Sequence, residues 1–408
     1  MGWLILLSLL IEVGVLFYLE CKAWDTLYTP LNFLMIPYVI ILLITIAISG
    51  RWGIVDFYYP CILYWNIGLA IFAIPSLSMG FAMQRNGKPV CKPIDEQNGL
   101  SHIIVILSVI MCLAFLYRLR QTLGSSPSSL GSDDFGMDFN GYGLWAHLSK
   151  FNTPLLVLCI YYLDKERRWL WPLIILFIFF AFVHQVKGWV IIPCLAGLSM
   201  RLYAGKTKLT GKFLFLVLIG AALVFLISYL LSLVVGKNAM LSSTVMEFIL
   251  RHFMHYLTSG TFGFSLDLAA GLPDKGSFQV LFAPIINIIN LLSGNNEIVS
   301  PINDCFHFTG INYTNTRTFF GYIAVNSNML QFVVTTLLIS FVSYFIKILS
   351  VRFNNVYLTV IYFYQCALLC MGWFDYYFSQ LDSIEVPVMT IMVMVLVSLF
   401  DSFQKKTA

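Results

Sequence analysis

Charge is what this 408-residue chain has least of. Asp, Glu, Lys and Arg make up 11% of it against 59% hydrophobic residues, and the mean hydropathy is +0.83. A soluble domain carries more than twice that share of charge, so a water-surrounded globule is excluded. Several motifs are missing as well. There is no Walker phosphate loop, no His-Glu-x-x-His metal helix and no Gly-x-Ser-x-Gly nucleophile elbow, which argues against ATP-driven pumping and zinc proteolysis. Cysteine supplies no disulfide framework: of nine, only Cys305 lies clearly in a loop and the rest lie in or beside apolar segments. Neither an internal repeat nor a low-complexity tail is present. The net charge of +4 adds little, and no nucleic-acid partner is expected.

What the chain does have is apolar runs of bilayer length. They fall near 3–19, 31–49, 60–82, 100–117, 142–163, 169–184, 188–203, 213–235, 319–346, 355–373 and 386–402. Each approaches the roughly 20 residues that cross a bilayer as helix. The expected fold is all-α, a single polytopic bundle over 1–408 with about eleven spanning helices, within a range of 10–13. The first run lacks a basic start and a small-residue cleavage site, so it reads as a retained helix.

Lys and Arg stay on the cytoplasmic side of short loops. Lys165, Arg167 and Arg168, then Arg201, Lys206, Lys208 and Lys212, then Lys347 and Arg352, and finally Lys405 and Lys406 mark that side. Alternation then places three segments outside: the HQVKG turn at 184–188, the stretch 236–318 and the acidic loop 374–385. Working backwards, Arg85, Lys88 and Lys92 fall inside, and the loop 118–141 falls outside. Arg118 and Arg120 then oppose the bias, so either the count is off by one or they meet an anion. Gly, Ser and Pro in 123–143 read as a mobile loop, and its Asp133-Asp134 pair reads as solvated acids rather than a metal motif.

Residues 236–318 are the long semi-polar stretch of the chain, and chemistry is expected there. Arg251, His252, His255, His307 and Arg317 gather beside hydrocarbon, where unpaired charge is expensive. Of these, Arg251 and Arg317 form with Lys187 an external basic set that could neutralise a diphosphate without a metal, Arg through its planar fork and Lys as a point charge. Each of them alone could equally snorkel to lipid phosphates. On a helix Arg251 and His255 share a face, while His252 faces Tyr256 and Ser259. A base could be His255, His252 or one of the external carboxylates Asp375, Asp382 and Glu385, and the residues alone do not choose.

Three blocks carry a resemblance. HQVKGWVIIP, RHFMHYLTSGTFGFSLDL and NTRTFF are similar to segments of the Wzy-type O-antigen and oligosaccharide repeat-unit polymerases, and the helix layout resembles theirs along nearly the whole chain. Lys187 takes the position of a basic residue between two helices. Tyr256, Ser259, Gly260 and Phe264 fall in an external helix, and Asn315, Thr318 and Phe319 keep part of a motif before a late helix. Arg317 stands where that motif often has Tyr, and Asn326 and Asn328 where an acid and a Gly usually follow.

The resemblance implies a glycosyltransferase without cofactor at the periplasmic face of the bacterial inner membrane. Its substrate would be an oligosaccharide on undecaprenyl diphosphate, amid membrane lipids and with a chain-length regulator protein as a further partner. On that reading Arg251, Arg317 and Lys187 hold the diphosphate, His255 leads the base candidates, and Arg118, Arg120, Tyr256, Asn315 and Thr318 contact diphosphate or glycan. The rivals are a ligase with another acceptor and a transporter or flippase. Glu12, alone in the middle of an apolar run, gives the transporter little to work with.

Overall fold

The structure is a computed structural model describing residues 2–91, 94, 100–126, 132–184, 188–230, 242–271 and 277–407. In order come α1 (Gly2–Trp24), α2 (Pro30–Ile48), α3 (Cys61–Arg85), α4 (His102–Ser125), α5 (Asp133–Asn140), α6 (Leu144–Leu148), α7 (Asn152–Tyr162) and α8 (Trp171–Val183). Then follow α9 (Gly188–Tyr203), α10 (Gly211–Leu230), α11 (Ser243–Ala269) and α12 (Ala283–Ser293). A two-stranded antiparallel pair, β1 (His307–Phe308) and β2 (Tyr313–Thr314), precedes α13 (Phe319–Val325), α14 (Met329–Phe353), α15 (Val356–Cys370) and α16 (Asp382–Thr407). The fold is helical, as the apolar runs require, because in hydrocarbon a helix satisfies its own backbone.

Seven helices among the described residues are long and apolar enough to cross a membrane: α1, α2, α3, α4, α14, Val356–Trp373 and Asp382–Ser402. The runs at 142–163, 169–184 and 188–203 give shorter helices, and that at 213–235 gives the 20-residue α10, with 231–235 outside the described residues. The first is interrupted at Gly143, with φ +62°, and by a 3-10 turn at Ser149–Phe151. That leaves α7 with 11 residues, about 16 Å, short of a bilayer's ~30 Å. The run at 319–346 divides too. Asn326 closes α13, and Asn328 accepts from the Gln331 N–H to open α14, the capping role for which short polar side chains are suited. Nor is 118–141 a plain loop: α4 continues to Ser125, and α5 is capped by Ser132, whose side chain accepts from Phe135 N–H. Asp134 lies in the first turn of α5, where an acid complements the helix dipole.

The chain divides into two compact units. The first comprises Met1–Lys92, Leu250–Phe353 and Gln365–Ile384. Its core joins α1, α2, α3, α13 and α14 through Trp24, Tyr38, Trp65, Phe72, Phe319, Phe320 and Tyr344. Tyr38 and Trp65 lie ring on ring at 3.3 Å and 5°. Fully buried Glu20 accepts from Ser76 and, at 3.0 Å, from the Tyr344 hydroxyl. Lys347, also buried, donates to the Tyr28 carbonyl at 3.3 Å and sits over the Trp24 ring. This polar network ties α1, α3 and α14 where an isolated charge would be expensive.

The second unit comprises Pro93–Ile249, Asn354–Tyr364 and Glu385–Ala408. Phe115 of α4, Phe139 of α5, Phe180 of α8 and His184 pack together in it. Arg201 donates to the carbonyls of Ile160, Tyr161 and Leu163, so the carbonyl end of α7 is closed by a cation.

Candidate functional site

In the first unit, Tyr256, Gly260, Gly263 and Asp267 follow one another at four-, three- and four-residue spacing along α11, which puts them on one face. The two glycines let backbone approach where a side chain would block it. A Cβ on Gly260 would collide with the Phe374 carbonyl oxygen, and one on Gly263 with the Thr316 carbonyl oxygen. Two loops therefore lie directly on the helix. Tyr256 stacks on Phe374, with ring centres 5.8 Å apart and planes at 6°. The β1–β2 hairpin turns through Gly310 at φ +94°, against the backbone of Gly53. Its register pairs His307 with Thr314 and Phe308 with Tyr313.

These elements assemble a polar cluster from residues distant in sequence. The Asp267 carboxylate, fully buried, receives the Arg317 guanidinium: Nε bonds Oδ2 and Nη2 bonds Oδ1 at 2.9 Å. Arg317 is itself fully buried and also donates to the carbonyls of Thr316 and Cys305. His307 Nε2 meets Asp267 Oδ1 at 2.6 Å while its side chain keeps 21% exposure. Asp375 accepts from the Tyr376 N–H at 2.9 Å and from the Arg317 N–H at 3.5 Å. Burial lifts the Asp375 carboxyl to about 7, against the opposing pull of those backbone bonds and the Arg317 charge. That value is a general base's range.

Nearby on the hairpin, His255 Nδ1 pairs with Thr309 Oγ1 at 2.9 Å, and His252 Nε2 lies 3.4 Å from Asn312 Nδ2. Burial, and then the neighbouring His252, push the His255 imidazole down to about 4. It is therefore neutral at pH 7 and a weak base. The linkage has a definite sign. A histidine whose folded value lies below 6.5 takes up its proton more readily when unfolded, so stability is lost as pH falls from 6.5 towards 4. A thermal-melt series over that interval is expected to show this acid sensitivity, and His255→Gln is expected to reduce it.

The residues singled out in sequence are thus distributed unevenly. Arg251, His252, His255 and Tyr256 share α11, with Arg251 exposed. Arg317 is not so presented, because its guanidinium is closed on Asp267. Asn315 donates to the Asn303 carbonyl at 3.0 Å. Thr318 is a structural cap: its Oγ1 accepts from Gly321 N–H and from Trp65 Nε1. Lys187 lies outside the described residues. Arg118 and Arg120 belong to the second unit, where Arg118 donates to the carbonyls of Asp138 and Phe139 and Arg120 is exposed. Glu385, in that unit too, pairs with His147.

Asp267 was not singled out in sequence, and neither was any role for His307. The available signal was the position of Asp267, an acid in an apolar helix end on the same face as Tyr256, Gly260 and Gly263.

Asp267, Cys305 and His307 bring donor atoms within 4.8 Å of one another, the one such group among the described residues. The donor set is of zinc type. Both oxygens of Asp267 already serve Arg317, however, so a cation there has first to break the ion pair.

Fold and site together define a multi-pass helical membrane protein with a polar centre on a segment that none of the seven apolar spanning helices contains. The chain belongs to DUF6337, a family of unknown function whose model matches residues 53–403. No curated protein and no solved structure matches it.

Proposed function

We propose that the chain is a polymerase of lipid-linked oligosaccharide repeat units. It moves the growing glycan from undecaprenyl diphosphate to a hydroxyl of the terminal sugar on an incoming repeat unit, at the periplasmic face of a bacterial inner membrane. In this reading the Lys and Arg bias of the short loops sets 236–318 and 374–385 on that face. The observation that carries the reading is Asp375, held beside Arg317 outside the spanning helices with its carboxyl at about 7.

In this reading the acceptor hydroxyl gives its proton to Asp375 as its oxygen attacks the anomeric carbon. The bond from that carbon to the diphosphate oxygen breaks, and its electrons leave with the diphosphate. Developing negative charge is then the largest requirement, which preorganised cations meet best. Arg251, exposed one turn from His255, serves it. Arg317 acts indirectly by fixing Asp267 and the loop that presents Asp375. His307, held by Asp267 and partly exposed, supports proton movement from the other side of the same ion pair. The step is metal-independent, because the carboxylate that a cation would need is committed to Arg317.

Deleting the gene in its native host and comparing surface and lipid-linked glycans on a silver-stained gel tests this. A single repeat unit left in place of the ladder is the expected result, with wild type restoring it and Arg251→Ala failing to do so. Long glycan accumulating on undecaprenyl diphosphate would mean a ligase. An unchanged ladder would remove the proposal.

A further inference from the structure

Beyond the polar cluster, α12 and the chain that follows it have an inverted arrangement. Ile285, Ile289 and Leu292 fall at four- and three-residue spacing on one helical face. Their exposures are 49%, 56% and 81%. The opposite face is committed to the protein's own return segment: Asn287 Nδ2 donates to the Val299 carbonyl at 3.0 Å, Asn287 Oδ1 accepts from the Val299 N–H at 2.8 Å, and Asn290 Nδ2 donates to the Glu297 carbonyl at 2.9 Å. The helix thus ties its amides to the return segment while Ile285, Ile289 and Leu292, and Leu291 beside them in sequence, stay exposed. Ile298, Ile302, Phe306 and Phe308, further along the chain, are exposed as well.

We infer that α12 lies in the membrane interface with Ile285, Ile289 and Leu292 inserted among the acyl chains of the bilayer that holds the spanning helices. Three observations choose this occupant. The outward residues are as exposed as Ile11 of α1 and Phe341 of α14, at 59% and 50%, which belong to apolar spanning helices. Residues 277–306 contain no Lys or Arg and two acids, Glu297 and Asp304, so the surface suits hydrocarbon rather than an anionic headgroup. At 11 residues, about 16 Å, the helix cannot cross. It can lie along the surface, where an amphipathic helix buries its apolar side. The inference uses the membrane class alone and stands whether or not the chain polymerises glycan.

The full chain reconstituted in phosphatidylcholine vesicles, with a fraction of the lipid carrying a diazirine on its acyl chain, tests this after irradiation and peptide mapping. Adducts are expected on Ile285, Ile289 and Leu292 at yields comparable with those on Ile11 and Phe341. Ile289→Asp is expected to lose the α12 adducts while leaving those on α1 and α14, which also reports that the variant is inserted. An unlabelled α12 beside labelled α1 and α14 in the wild type would overturn the inference. So would labelling by a diazirine-bearing polyprenyl diphosphate alone, since the face would then hold a lipid-linked substrate instead of bulk acyl chains.

Discussion

Asp267→Ala is expected to destabilise the protein by about 3–5 kcal/mol, the usual loss when one partner of a buried ion pair is removed and the other charge stays behind. Here the stranded group is the Arg317 guanidinium, which has no exposure and whose Nε and Nη2 both bond the lost carboxylate. His307 loses its orienting partner at the same time. Arg317→Ala should be nearly as severe, because it leaves a carboxylate in the same dry place. The double replacement Asp267→Leu with Arg317→Met should be much milder than the sum, since an apolar pair of similar volume removes the desolvation penalty of both ions. Thermal unfolding of the detergent-purified chain measures all three. Additive losses would mean that the two groups do not depend on each other, and would remove the ion pair from its central place in the site.

That pair also shows where reading the sequence stops. The basic residues of 236–318 were legible as a polar stretch, but Arg317 meets an acid fifty residues earlier, and no local pattern says which one. As a lone cation it looked like a diphosphate ligand. With Asp267 in place it is a buried tie. Thr318 went the same way, because a helix cap and a substrate contact use the same hydroxyl. His255 seemed the best base from its position on α11, yet burial weakens it, and burial is a property of the fold. The spanning helices were more legible. Seven of the apolar runs became long apolar helices, since composition and length alone decide what hydrocarbon accepts. One of the seven, the run at 319–346, was divided where Asn326 stops one helix and Asn328 starts the next, and the run at 142–163 was interrupted where Gly143 takes a positive φ. Those signals were in the sequence and carry more weight than mean apolarity.

The second large effect is expected at Asp375. If its carboxyl is the proton acceptor, glycan transfer by the purified chain should rise with pH through about 7 as the group ionises. Asp375→Asn should lower the rate by roughly two to four powers of ten, the usual contribution of a positioned base, and erase that acidic limb. The same substitution should affect stability in the opposite direction. An acid whose folded value is raised from 3.8 to about 7 is more protonated folded than unfolded, so its contribution is present in full below 3.8 and is lost as pH rises to about 7. Asn removes that penalty, so the variant should melt no lower than wild type at pH 8 while being nearly inactive. A structural Asp375 predicts a lower melting point together with an unchanged pH profile in the residual activity. The two measurements together therefore separate a base from a prop, and they do so at the residue where burial and the Arg317 loop combine.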